Sequence, residues 1–198
     1  MMLKNKLLSL FLYVSGFFAF ICIAFILIIP SFIFLPFFYW SVRVCCRFML
    51  SSLLLWPKIK GQFPAEGTYI IMMNHSSFID IFLYPLVPNK KWTGVTAIEN
   101  FKYPILSYLL RRLNAIPIER KNKRLAIKSI EKAEQVLKQG LHIGILPEGS
   151  RTTTGRMGPL KKGGFHMAIN ANIPIVPIGI VGAFKFKPKH RWWIAPSS

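Results

Sequence analysis

Acidic residues are scarce in this sequence. Seven Asp and Glu stand against 26 Lys and Arg among 198 residues, and Asp80 is the only aspartate. This shortage leaves few candidates for carboxylate chemistry. The formal net charge of +19 predicts an anionic partner, which would be nucleic acid, an anionic bilayer or a phosphorylated substrate.

Cysteines are few and common hydrolase motifs are missing. The three cysteines, Cys22, Cys45 and Cys46, lie in the apolar N-terminal third without paired metal spacing, so they indicate a reducing compartment and no metal site. The sequence contains no G-x-S-x-G elbow and no H-E-x-x-H pattern. These absences argue against a serine hydrolase and against a zinc enzyme.

What the sequence has in excess is apolar residues near its N-terminus. No charged residue occurs between residues 7 and 42. The run from Leu7 to Ile29 would span about 34 Å as a helix, enough for the hydrocarbon core of a bilayer. Because this run is too long and too apolar for a cleavable signal, we expect a retained membrane segment.

The orientation of this segment has two interpretations. Basic residues precede and follow it, so the positive-inside rule draws both flanks to the cytoplasm. Pro30 and Pro36 would allow a turn within the bilayer and a return as a re-entrant hairpin, which satisfies both flanks and is favoured over a single span. Residues 41 to 56 predict a helix, lying at the interface or packed on the following domain and ending at Pro57.

Beyond the anchor, short apolar runs alternate with amphipathic stretches. Residues 124 to 139 have helical spacing and stop at Gly140. Four apolar runs predict buried strands, at residues 68 to 73, 115 to 118, 141 to 146 and 173 to 180. The prolines of the last run place it at an edge or irregular position of the sheet. We therefore predict an anchor over residues 1 to 57 and an α/β domain over residues 58 to 198.

The stretch NHSSFID, residues 74 to 80, contains His75 and Asp80. On one helix these two residues would lie about 140° apart, so contact requires His75 to precede a helix whose first turn holds Asp80. We predict such a helix, running to Leu86 and capped by one of the two serines. Asp80 could then hold one imidazole nitrogen and leave the other as a base. Spacing alone also allows a capping box, with Asp80 at the positive end of the helix.

A second candidate for chemistry is LPEGSRTTTG, residues 146 to 155. It follows a buried strand directly, so its polar groups emerge at the carboxyl end of the strand, where α/β sheets bind ligands. Its glycines allow close backbone approach, and Arg151 offers a fork that matches phosphate. A plain loop is the alternative, although Glu148 and Arg151 are unusual residues for a mere turn.

A third candidate is AIPIERKNKR, residues 115 to 124, in which a predicted strand is again followed by charge. Arg120 occupies a place similar to that of Arg151. Basic runs after strands are commonly solvated faces, which is the alternative here. Together, the three strand ends could place His75, Arg120 and Arg151 along one edge of the sheet, at the carboxyl ends of its strands.

These residues resemble the glycerolipid acyltransferases, the family of 1-acyl-glycerol-3-phosphate (lysophosphatidate) acyltransferases. NHSSFID is similar to the first block of that family, a histidine and an aspartate separated by four residues (HX4D). NAIPIER resembles the second block, LPEGSR the third, usually written FPEGTR, and IPIVPIGIVG the fourth. The resemblance implies a mixed sheet flanked by helices, with an N-terminal membrane helix or re-entrant hairpin.

The resemblance also implies an O-acyltransferase mechanism. His75 would act as general base on the free hydroxyl of 1-acyl-glycerol-3-phosphate, with Asp80 orienting the ring. The hydroxyl would attack the thioester of acyl-CoA or acyl-carrier protein directly, giving phosphatidate in phospholipid biosynthesis with neither cofactor nor metal. Arg151 would contact the acceptor phosphate. The acceptor-binding residues that the resemblance implies are Glu148, Gly149, Arg151 and Arg120.

The implied partners are a phospholipid membrane, lysophosphatidate and the acyl donor, with no nucleic acid. The catalytic domain would lie on the cytoplasmic face, at the inner membrane in a bacterium. KFKPKHRWW, residues 185 to 193, interleaves cations and aromatics in a pattern compatible with base stacking or with an interfacial anchor. The apolar N-terminus favours the anchor.

Some features depart from the family pattern. Asn114 stands where glycine is common, and Ile98 precedes Glu99 in a region where a lysine is frequent. The chain stops at Ser198, as expected for a fragment or a short variant truncated at the C-terminus. Two other functions therefore stay open: acylation of another lysolipid, such as another lysophospholipid or a lyso-ornithine lipid, and a non-catalytic basic membrane adaptor.

Overall fold

A computed structural model of the protein describes residues 2–119 and 123–195. Its helices are α1 (Met2–Ile33), α2 (Leu35–Ser52), α3 (Asp80–Leu83), α4 (Pro104–Arg112), α5 (Lys123–Lys138), α6 (Gly163–Ala171) and α7 (Ala183–Phe186). Its strands are β1 (Ile70–Met73), β2 (Trp92–Ala97), β3 (Ile116–Ile118), β4 (His142–Ile145) and β5 (Ile175–Ile178). Two 3₁₀ turns are Tyr84–Leu86 and Ile98–Lys102.

The strands form a sheet in the order β3-β2-β4-β1-β5, and every pairing in the described residues is parallel. The predicted α/β class is confirmed, but the sheet is parallel where a mixed one was expected. Helices lie in the connections between successive strands, which are the crossovers that parallel neighbours require. β5 lies at an edge, as its prolines predicted. β1 lies between β4 and β5, so the ends of these three strands are neighbours.

Four predicted strands and the predicted helix at 124–139 correspond to observed elements, whereas β2 was missed. The helix ends before Gly140, which has a φ of +77°. β2 carries Thr93 and Gly94 in place of an apolar run, so its sequence lacks a strand pattern. Its position depends on tertiary contacts: Gly94 pairs with Gly144 of β4. A Cβ on Gly144 would lie 2.4 Å from the ring of Tyr84, so only glycine allows this packing.

The side chains of β1 alternate between two cores. Ile70 and Met72 pack with buried residues of α5 and α6, among them Ala133, Val136, Leu137, Met167 and Ala168. Ile71 and Met73 pack on the opposite face with Tyr39, Tyr84 and Trp92. Because both faces are covered, all four residues are buried. This explains why the strand reads as a continuous apolar run.

α1 and α2 form a helical hairpin. Gly16 of α1 lies beside Met49 and Ser52 near the end of α2, so the two helices run antiparallel. The turn is at Phe34, with Pro36 in the first turn of α2, which places it in the predicted region. Within the described residues, the stretch Leu3–Ile23 is long and apolar enough to cross a membrane. The choice between a single span and a re-entrant hairpin stays a prediction.

α2 covers most of the helix predicted at 41–56 but begins at Leu35 and ends at Ser52, before Pro57. The guanidinium of Arg43 donates hydrogen bonds to the carbonyls of Pro88 and Lys90. Arg43 thus packs on the α/β domain, as in one of the two interpretations left open.

The segment after α7 joins the hairpin to the α/β domain. The N–H of Ile194 donates to the Ser9 hydroxyl at 2.7 Å, and the Tyr13 hydroxyl donates to the Trp192 carbonyl at 2.6 Å. Ile194 is fully buried in a cluster with Leu12, Leu50, Ile79 and Phe186. Residues 183 to 195 are therefore packed between α1 and the start of α3.

Candidate active site

His75 and Asp80 lie at the junction between β1 and α3. β1 ends at Met73, and Asp80 is the first residue of α3. The Nδ1 of His75 is 2.8 Å from Oδ2 of Asp80, whose side chain is fully buried, while the His75 side chain is 18% exposed. With the Nδ1 proton directed at Asp80, Nε2 is the unprotonated nitrogen, and no described residue forms a hydrogen bond with it. The predicted contact is confirmed, and the role of His75 as a general base stays a prediction.

The backbone of residues 75 to 80, here called the HX4D loop, also binds Asp80. The N–H groups of Ser76 and Ser77 donate to Oδ2 of Asp80 at 2.7 and 2.9 Å. The predicted serine cap is wrong, because the residue before α3 is Ile79, which has no side-chain capping bond. The Ser77 hydroxyl donates instead to the carbonyl of Lys187 at 2.8 Å. The carboxylate, not a serine, therefore organises the start of this helix.

The helix that holds Asp80 is shorter than predicted. α3 ends at Leu83, and a 3₁₀ turn over Tyr84–Leu86 follows. Pro85 has no N–H with which to continue an α-helix, so the last predicted turn takes the tighter form.

Glu148 holds the backbone of His75. Its side chain is 7% exposed. Oε1 accepts the N–H of His75 at 2.6 Å, and Oε2 accepts the N–H of Gly158 at 2.8 Å. The N–H of Thr152 donates to the His75 carbonyl at 2.9 Å. Since both carboxylate oxygens are bonded to backbone groups, this geometry favours a positioning role for Glu148 over the direct acceptor contact that the resemblance implied.

Gly149 and Arg151 follow Glu148 in the same loop. Gly149 has a φ of +71°, and a Cβ there would lie 3.0 Å from Cε of Lys161, so glycine fits both the backbone and the space. Arg151 is half-buried, and its guanidinium forms no hydrogen bond or ion pair with any described residue. Its donors thus remain available to an anion, on a loop whose next residue, Thr152, donates its N–H to the His75 carbonyl.

Arg120 lies outside the described residues. β3, which precedes it, ends at Ile118 and is separated from β1 by β2 and β4. Three strand spacings correspond to roughly 14 Å. The expectation that Arg120 lies close to His75 and Arg151 along one edge of the sheet overlooked the two intervening strands, since β2 was not recognised. A contact between Arg120 and the acceptor stays a prediction.

Two residues near the site were missed by the sequence reasoning. The side-chain amide of Asn74 donates to the Ile180 carbonyl at 3.0 Å and accepts the Ile180 N–H at 2.6 Å, extending the β1–β5 pairing by one step. Lys187 contacts the HX4D loop through Ser77. An asparagine directly after an apolar strand could have drawn attention, but no local pattern distinguishes Lys187 from neighbouring cations.

A fully buried histidine, His142, lies at the opposite end of the sheet. His142 begins β4, and its Nδ1 accepts the N–H of Tyr69 at 3.1 Å. Burial, with the charge of Lys90, lowers the pKa of His142, which keeps the ring neutral. This arrangement is structural. No group of three or more His, Cys, Asp or Glu side chains that could hold a metal ion occurs in the described chain.

Comparisons with known proteins agree with this geometry. The sequence model of the Acyltransferase family matches residues 57–181, and the chain therefore belongs to this family. The chain is 35% identical over 140 residues to the 1-acyl-sn-glycerol-3-phosphate acyltransferase of Cocos nucifera, covering 70% of this chain and 46% of that protein. It is 31% identical over 182 residues to the enzyme of the same name from Limnanthes douglasii, covering 85% and 65%. The resemblance carried by the four sequence blocks is thus confirmed.

A solved structure has a similar fold. The chain superposes on the 1-acyl-sn-glycerophosphate (LPA) acyltransferase PlsC from Thermotoga maritima with a TM-score of 0.81 and 23% identity, covering 98% of this chain and 82% of that one. The chain spans only part of the length of these curated relatives, from 33% of the one from Arabidopsis thaliana to 65% of the one from Limnanthes douglasii.

Proposed function

We propose that this protein transfers a fatty acyl group from acyl-CoA or acyl-carrier protein to the free hydroxyl of 1-acyl-glycerol-3-phosphate, giving phosphatidate. The observation that carries the proposal is the 2.8 Å contact between Nδ1 of His75 and Asp80, which leaves Nε2 without a partner in the described residues. The loop that contains Arg151 contacts the same histidine, because the N–H of Thr152 donates to the His75 carbonyl. The names of the curated relatives support the same reaction, since those proteins are called 1-acyl-sn-glycerol-3-phosphate acyltransferases.

In the proposed mechanism, Nε2 of His75 takes the proton of the acceptor hydroxyl as its oxygen attacks the thioester carbonyl. A new ester C–O bond forms, the C–S bond breaks, and the thiolate leaves with the proton that the imidazolium returns. Asp80 stabilises the imidazolium across the Nδ1 contact. Because Asp80 Oδ2 is also bonded to two backbone N–H groups, the carboxylate is fixed in orientation before the proton moves.

The acceptor phosphate is proposed to bind Arg151, whose planar guanidinium can donate two parallel hydrogen bonds to phosphate oxygens. Glu148 supports the site through the backbone of His75. Gly149 gives the loop its left-handed turn next to Arg151. Arg120 is kept as a proposed additional acceptor contact on the basis of the resemblance alone.

The reaction is proposed to occur at a phospholipid membrane, with the hairpin of α1 and α2 as anchor and the α/β domain on the cytoplasmic face. The exposed apolar side chains of α1, among them Phe11, Phe17, Phe18 and Phe25, support contact with lipid. We propose no nucleic-acid partner and no cofactor besides the acyl donor. Lysine and arginine in excess suit anionic lipid and phosphate.

An acyl-transfer assay of the purified full chain tests the proposal. Wild type is expected to form phosphatidate from lysophosphatidate with acyl-CoA or acyl-carrier protein as donor. His75→Ala is expected to lower kcat by about 10² to 10⁴, the usual worth of a general base. His166→Ala, at an exposed position of α6, is the matched control and should retain normal activity.

Three outcomes would contradict the proposal in different ways. Near-normal transfer by His75→Ala would refute the base mechanism. If wild type used another lysophospholipid or a lyso-ornithine lipid but not lysophosphatidate, the acceptor would be wrong. Lipid binding without transfer from either donor would favour a non-catalytic membrane adaptor.

A further inference from the structure

Lys187 lies directly beside the HX4D loop although it is 112 positions after His75. β5 is the neighbour of β1, and the chain continues from β5 through α7 to this residue. The carbonyl of Lys187 accepts the Ser77 hydroxyl at 2.8 Å. This bond fixes the backbone at Lys187 to the same loop that carries the general base.

The cations around Lys187 have no acidic partner in the described residues. The charges of Arg151 and Arg191 both act on its ammonium, and with desolvation as the larger cause they lower the pKa of Lys187. Asp80 is paired with His75, and Glu148 is bonded to backbone N–H groups, so neither of these two acids contacts the cations around Lys187. Cations gathered without an anion repel each other, so an anionic ligand would be favoured there.

Of these cations, Arg191 is already bonded. Its guanidinium donates to the carbonyls of Lys185, Phe186 and Trp193 and stacks over the Trp193 ring at 4.1 Å. By contrast, the ammonium of Lys187 donates one long bond of 3.3 Å to the adjacent Pro188 carbonyl. An ammonium has three donors. Lys187 and Arg151 therefore retain donors that the described residues do not use, on two segments whose backbones both bond to residues 75 to 77.

We propose that Lys187 binds the phosphate of the acceptor together with Arg151, and that the pair selects a phosphate monoester over a phosphodiester. This inference rests on the proposed function and adds to it a specificity-determining residue. A monoester carries up to two negative charges and three terminal oxygens, whereas a diester carries one charge and two terminal oxygens. Two adjacent cations thus match the monoester better.

Steady-state kinetics of Lys187→Met in detergent micelles test the inference. Methionine keeps an unbranched chain and leaves the Lys187 carbonyl free to accept from Ser77, so the loop stays anchored. Because a hydrogen bond to a charged group contributes about 1.5–3 kcal/mol, KM for lysophosphatidate should rise about tenfold to 100-fold. KM for lysophosphatidylglycerol, a phosphodiester, should rise much less. Lys187→Arg should restore most of the affinity.

Lys189→Met is the matched control, because Lys189 is an exposed lysine of the same segment. Its KM for lysophosphatidate should equal that of wild type. Unchanged KM in Lys187→Met, or equal losses with both acceptors and no rescue by arginine, would overturn the inference. A rise in KM for acyl-CoA alone would also overturn it by assigning Lys187 to a phosphate of the donor.

The failure of the proposed function would look different. In that case wild type itself would not transfer acyl groups to lysophosphatidate. Equilibrium binding of lysophosphatidate to the full chain would then decide the inference by itself: weaker binding by Lys187→Met than by Lys189→Met supports it, and equal binding refutes it.

Discussion

The acidic residues at the site have several hydrogen-bond partners within the protein, whereas the basic residues have few or none. Asp80 and Glu148 are buried, and their carboxylates bind an imidazole and four backbone N–H groups in total. Arg151 and Lys187 are half-buried and have few or no partners in the described chain. The comparison indicates that the two acids fix the backbone around His75, whereas Arg151 and Lys187 keep donors that the described residues do not use.

Replacing the acid that contacts the base should have the largest effect. Asp80→Asn keeps the size of the side chain but removes the charge that stabilises the imidazolium, and its amide repels the Nδ1–H or the loop N–H groups. We expect kcat to fall by about 10² to 10⁴, the range for general acid–base catalysis. Initial rates with saturating substrates measure this.

Glu66→Gln provides the control for Asp80→Asn, because the Glu66 side chain is exposed on a loop before β1. It should leave kcat unchanged. Equal activity of Asp80→Asn and wild type would mean that the buried carboxylate does not take part in proton transfer.

Glu148→Gln tests whether an acid acts through the backbone or on the substrate. The amide retains one oxygen, so one of the two bonds to His75 and Gly158 is lost. A hydrogen bond to a charged group contributes about 1.5–3 kcal/mol, which corresponds to a loss of roughly tenfold to 100-fold in kcat if the base is displaced. KM for lysophosphatidate should change little.

The pattern of kinetic changes decides between the two roles of Glu148. A large rise in KM at constant kcat would assign Glu148 to direct acceptor binding and remove the contrast between acids and cations. The paired variant Lys187→Met is expected to give the reverse pattern, with KM affected more than kcat.

Gly149→Ala should have the smallest effect of these substitutions. It should lower the stability of the loop that carries Glu148 and Arg151 without changing either charge. The left-handed backbone costs a non-glycine residue about 1–2 kcal/mol, and the new Cβ would press on Lys161. We expect this loss in the free energy of unfolding, measured by urea denaturation. Gly163→Ala, where a Cβ meets nothing within 4 Å, is the control and should be neutral. A neutral Gly149→Ala would show that the loop can adopt another conformation.

The sequence predicted those parts of the fold that local patterns encode. β1, β4 and α5 have clear apolar periodicity, and the five-residue offset of His75 and Asp80 required the strand-to-helix junction that the structure contains. β2 has no such pattern, and its place in the sheet is defined by long-range pairing, with Gly94 opposite Gly144 of β4. Long-range packing therefore determined what local patterns could not.

The roles of individual site residues were harder to predict for the same reason. Ser77 has the spacing of a cap, but the nearby Lys187 carbonyl offers its hydroxyl a partner 110 residues away. The position of Glu148 in a loop after a strand predicted a ligand-binding acid, yet its partners are the backbone N–H groups of His75 and Gly158. Such contacts depend on strand order, which sequence periodicity does not specify.

The bond between Ser9 and Ile194 has a consequence for the order of events during biosynthesis. The two residues are separated by 185 positions, and closing a loop of that length is among the last steps of folding because its entropy cost precedes any contact. The apolar hairpin is synthesised before the α/β domain, so it leaves the ribosome while that domain is still being made. The segment that accepts the Ser77 hydroxyl is made later still, so the HX4D loop can gain its full set of contacts only after residue 187 has been synthesised.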